Sequence, residues 1–94
     1  MILIRETFVA HPGSAGKIAK MFVAAIKKYG WKNMRILTDK ISDMHHVMME
    51  TEVESLAAWE DMMKNMNDAE MAEDFKDFNS MTVSGKREVF QIWE

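Results

Sequence analysis

Apolar residues in this chain repeat with two different periods that take turns along it, and that alternation constrains the fold more than any other feature. Every second residue is apolar or aligned with an apolar face in Met1 to Ala10, Asn33 to Asp39, Met44 to Glu54 and Met81 to Trp93, the spacing of half-buried strands. Between them the spacing becomes three and four. Ile18, Met21, Phe22, Ala25, Ile26 and Tyr29 form one helical stripe, with Ser14 as its cap and Gly30 as a left-handed stop. Leu56, Trp59, Met63 and Met66 form another behind Ser55, and Met71, Phe75 and Phe78 continue it after a break and a new cap at Asn67-Asp68, with Glu70, Glu73, Asp74 and Asp77 on the solvated side. His11-Pro12-Gly13 closes the first strand in a turn, and Gly85 is a candidate bulge in the last.

The order strand, helix, strand, strand, helix pair, strand predicts an α+β domain of the ferredoxin-like, split βαβ kind over residues 1–94: a four-stranded antiparallel sheet with helices on one face. Period two divides the third strand into His45, Val47, Met49, Thr51 and Val53, expected on the core face, and Met44, His46, Met48, Glu50, Glu52 and Glu54 on the other. In the last strand Val89, Phe90, Ile92 and Trp93 make both faces apolar, so the face without helices needs a cover. A second copy of the chain, packed sheet to sheet about a two-fold axis, is the economical one.

Composition excludes several functions. Twelve Lys plus Arg against fifteen Asp plus Glu give a net charge of −3 with no basic cluster beyond a pair, so a nucleic-acid partner is not expected. The absence of cysteine removes disulfides, thiolate nucleophiles and zinc-ribbon sites. No apolar run reaches the roughly 18 residues of a membrane span, and Arg5 and Glu6 interrupt the stretch where a signal peptide would need continuous apolarity. The expected setting is cytoplasmic, without a membrane partner.

The turn at Pro12-Gly13, the run VESLAAWEDMM from Val53 to Met63 and the terminal SGKREVFQIW from Ser84 to Trp93, in this order, resemble the dimeric α+β barrel proteins, in their NIPSNAP-like and antibiotic-biosynthesis-monooxygenase-like branches. The resemblance implies a homodimer joined through the sheet face, and spans nearly the whole chain. Haem-degrading relatives would add an Asn, a Trp and a His on the later helical segment. Trp59 could stand for the Trp, but no histidine lies between Asn67 and Asn79, so no cofactor is expected.

Two chemistries remain. Oxygenation or isomerisation of an aromatic or polyketide-like molecule without a cofactor requires a group that accepts a proton and a wall that excludes water. The candidate acceptors are His45, expected inside the helix–sheet space, and His46 on the opposite face. As strand neighbours they point apart and cannot easily share a metal ion, so no metal is expected. His46 lies about 13 and 20 Å along its strand from Glu50 and Glu52, too far for a compact triad, and would need a partner from a neighbouring strand. A substrate wall is expected from Met49, Trp59, Met63, Phe75 and Phe78, with Arg87 as an anchor for an anionic group. The plain alternatives are that Trp59 and the eleven methionines fill the core, that Arg5, Glu6, Arg87 and Glu88 form cross-strand ion pairs, and that the chain is a non-catalytic ligand-binding or regulatory dimer.

Overall fold

A computed structural model describes residues 1–41, 44–64 and 69–93. The elements follow the order β1 (Ile2–Ala10), α1 (Ala15–Tyr29), β2 (Met34–Thr38), β3 (His46–Val53), α2 (Leu56–Lys64), α3 (Ala69–Asp74), α4 (Phe78–Met81) and β4 (Thr82–Gln91). The strands form one antiparallel sheet in the order β2-β3-β1-β4, which places the N-terminal strand centrally as a ferredoxin-like domain requires. Where the chain pattern suggested a helix pair, the described residues hold three short helices after β3. The expected break and cap at Asn67-Asp68, and the stripe position Met66, lie outside the described residues.

Local chemistry accounts for most ends. Gly30 takes a left-handed φ of 69° and its N–H bonds the Ile26 carbonyl, closing α1 without a Cβ penalty. The Ser55 hydroxyl accepts the Ala58 N–H at 3.1 Å and starts α2. Ser14 holds the corresponding position before α1, but its hydroxyl makes no cap bond. The bulge in the last strand falls at Val83 and not at Gly85, because Val9 pairs with Ser84 while Ala10 pairs with Thr82. Gly85 has a different task. A Cβ there would stand 2.9 Å from the Phe8 ring, so its missing side chain lets that ring lie against the strand.

The core forms where α1 crosses the central strands. Ile18 and Val47 are fully buried with Phe22 and Ala10, and Phe8, Ile36, Met49, Phe75, Phe78 and Met81 pack around them. Phe8, Phe22, Phe75 and Phe78 form one aromatic group, with Phe8 edge-on to Phe78 at 4.9 Å between ring centres. α3 is fastened to α1 by a clasp in which the Tyr29 hydroxyl donates to Asp74 at 2.6 Å and the Lys28 ammonium to Asp74 and Glu70 at 2.8 Å. Asp74, expected on the solvated side, is thus turned inward to α1.

Candidate functional site

On β1 the residues Ile4, Phe8 and Ala10 face the helices, and period two sends Glu6 the same way. A carboxylate therefore stands among apolar neighbours under the helices. It borders a cleft of about 460 Å³ between sheet and helix layer. The sheet contributes Phe8 and Met49, α1 contributes Phe22, Trp31 follows its glycine stop, and the later helical segments bring Met63, Met71, Ala72, Phe75 and Phe78. Such a volume lies in the roughly 300–1,000 Å³ span of small-molecule sites, and so does the chemistry of an apolar wall with few polar groups. Trp31 is held by stacking on Tyr29, 5.4 Å between centres and 22° between planes, so the α1–α3 clasp also sets one wall of the cleft.

Glu6 is positioned from the edge strand. Arg87, its partner across the β1–β4 ladder, donates from Nε to Glu6 Oε1 at 3.1 Å, and the guanidinium lies 4.6 Å over the ring of Trp59 from α2. The three side chains form a chain from helix to edge strand to cleft wall.

The sequence-predicted site residues divide accordingly. Met49, Met63, Phe75 and Phe78 come together on the cleft wall. Trp59 is displaced to the Arg87 stack, outside the lining, and Arg87 reaches the cleft only through Glu6. His45 was expected inside this space, and the structure corrects that. Met44 and His45 take left-handed φ values of 79° and 61°, so β3 begins only at His46 and the period-two rule does not extend back to His45. His45 instead borders a separate depression with Asp39, Lys40, Ile41 and Met44. His46 does find a partner from the neighbouring segment: its Nδ1 lies 2.8 Å from Asp39 Oδ2, and its backbone N–H donates to Oδ1 at 2.9 Å. This pair sits on the sheet face without helices, away from the cleft.

That face holds a second carboxylate. Glu50 receives Arg5 Nε at 2.7 Å on one oxygen and Arg35 at 2.6–2.8 Å on the other. Burial pushes its carboxyl up, but the hydrogen bonds from Arg35 and then Arg5 outweigh burial and hold it below the ordinary value. Arg5 also lies 5.1 Å over Phe90. Among the described residues no three His, Cys, Asp or Glu side chains gather as a metal site, and no helix is long and apolar enough to cross a membrane.

Glu6, Phe8, Phe22, Trp31, Met71 and Ala72 complete a wall of which sequence spacing named only part. A signal for Glu6 was present: it is the charged residue in the otherwise apolar series Ile2, Ile4, Phe8, Ala10 of one strand face.

No family model and no curated protein matches the sequence. Solved structures do match in shape. A NIPSNAP-like domain protein from Burkholderia xenovorans aligns with a TM-score of 0.86 at 14% identity, over 98% of this chain and 84% of its own. A NIPSNAP family protein from Agrobacterium tumefaciens aligns at 0.82 and 13%, over 96% and 90%. A structure described as an antibiotic biosynthesis monooxygenase aligns at 0.71 and 11%, over all of both chains. At these identities the likeness is one of fold. The chain has the α+β, ferredoxin-like fold seen in NIPSNAP proteins and antibiotic-biosynthesis-monooxygenase-like proteins.

Proposed function

We propose that this chain binds a small aromatic or polyketide-like molecule in the cleft between helices and sheet, and acts there without a cofactor as a monooxygenase-like or isomerase-like enzyme. The observation that carries the binding part is the wall itself: aromatic rings and thioethers around about 460 Å³, with Glu6 as the charged group. An electron-rich ring held there would pack against apolar side chains on one side, and Glu6 would accept a hydrogen bond from its hydroxyl as the ring reacts. His45 is no longer suited to that role, since it does not border the cleft. His46, with Asp39 behind it, is the acceptor for a substrate on the opposite face.

The second reading is a non-catalytic binding dimer, favoured by the absence of any histidine from the described cleft wall. Oxygen uptake with a panel of hydroquinones and naphthols separates the two. Turnover that is lost in Met49→Trp, which narrows the cleft, supports the enzyme; methyl-group shifts of Met49, Met63 and Met71 with the same compounds and no oxygen uptake support the binding protein. Failure to shift those signals with any of them sinks both.

The same proposal includes a homodimer through the helix-free face, in the cytoplasm. Phe90, opposite Leu3 on that face, is 38% exposed in the isolated chain and offers apolar surface for a second copy to cover. Sedimentation should give twice the monomer mass, and Phe90→Asp should shift it toward the monomer because a charge would be buried. A wild-type monomer at micromolar concentration would overturn the dimer.

A further inference from the structure

Glu6 offers one oxygen to Arg87 and keeps the other. Oε1 accepts Arg87 Nε at 3.1 Å, and no other hydrogen bond reaches the carboxylate among the described residues. None of the buried side-chain oxygens or nitrogens there is left without a partner, so Oε2 is not sealed inside protein. Glu6 stands on the cleft wall with its side chain 14% exposed, so Oε2 is the unpaired oxygen at the edge of the cleft. Arg87 gives Nε to Glu6 and lays its plane over the Trp59 ring, and it does not border the cleft itself. A ligand in the cleft therefore meets the Glu6 carboxylate on the wall, while the guanidinium that positions it stands outside the lining. Apolar surroundings strengthen that asymmetry, because a carboxylate brought beside Glu6 loses hydration and meets a like charge.

We propose that Glu6 Oε2 makes the cleft selective for apolar ring molecules that present a hydrogen-bond donor, and against the same rings carrying a carboxylate. Arg87 is the positioning residue that aims it. This rests on the cleft being a ligand site, and it reverses the expectation that Arg87 anchors an anion.

Three naphthalenes with one ring system and different handles test it: 2-naphthylmethylammonium, 2-naphthol and 2-naphthoate, titrated into the protein while the methyl signals of Met49, Met63 and Met71 are followed. The ammonium and the naphthol should bind at least about tenfold more tightly than naphthoate, the ratio expected of hydrogen bonds to a charged group. Glu6→Gln should collapse or reverse that ratio by releasing Arg87. Arg87→Gln, which leaves both Glu6 oxygens unpaired, should widen it. Equal or tighter naphthoate binding in the wild type, or a ratio unchanged in Glu6→Gln, overturns the proposal while leaving the cleft as a ligand site. If none of the three shifts the methyl signals, the ligand reading fails and the selectivity with it. Should Glu6→Gln lose its folded spectrum, Arg87→Gln decides, and a ratio that does not widen there is also a refutation.

Discussion

Glu6 and Glu50 stand on adjacent central strands, face opposite sides of the sheet and each pair with arginine, yet they are built for different ends. Glu50 is 3% exposed and both its oxygens are taken by two arginines, whereas Glu6 is 14% exposed with one oxygen taken by one arginine. A carboxylate whose acceptor sites are filled by fixed donors has nothing left to offer a ligand, and holds strands together. One left half-satisfied beside an apolar cleft costs some stability and keeps an acceptor available. Of the two faces, the one with helices holds the cleft and the one without holds the brace.

Replacing each carboxylate tests that contrast. Glu50→Ala should lose about 2–3 kcal/mol by urea denaturation, less than the 3–5 for a wholly buried pair because the Arg35 side chain is 71% exposed and can turn to water. Glu6→Gln should lose under about 1 kcal/mol, since its half-exposed Arg87 partner makes a surface-like pair. Equal losses would erase the distinction between brace and site.

Gly85→Ala probes the helix side at the next level. The new Cβ would press on Phe8, which is wedged against Phe22 and Phe78, and should cost about 1–2 kcal/mol. If the variant is as stable as the parent, the Phe8 wall is softer than its packing implies.

Acid sharpens the comparison further. Because the Glu50 carboxyl is held below its unfolded value of 4.5, its contribution is fully present above that pH and fades as pH falls through the lower folded value. The urea midpoint followed between about pH 3 and 6 should therefore drop on acidification, and more steeply in the parent than in Glu50→Gln. Parallel curves would remove Glu50 as a source of the loss.

The smallest effect concerns the cleft wall. The hydrogen bond to Asp74 raises the Tyr29 hydroxyl from 10.0 to about 12, so the clasp is intact below pH 10 and opens as pH climbs toward that value. Tyr29→Phe should leave thermal stability nearly unchanged while broadening the methyl signal of Met71, whose helix the clasp holds. A sharp, unshifted signal would show that Lys28 alone is enough.

Sequence by itself settled what neighbouring residues decide. Alternation between period two and period 3.6 gave the order of strands and helical regions, though not the division of the later region into α2, α3 and α4; Gly30 gave the end of α1, Ser55 the start of α2, and strand parity the sides of Val47, Met49 and Glu50, since each depends on a few dihedral angles and adjacent side chains. Parity failed at His45, where two left-handed residues reset the count before β3 begins. Tertiary structure alone decided which arginine meets which carboxylate, that Trp59 stacks on Arg87 and not in the cleft, and that Glu6 rather than a histidine stands on its wall. The cleft draws on β1, β3, the α1 end and all three later helices, so it exists only once register and helix docking are fixed together, and no stretch of the chain contains enough of it to be read alone.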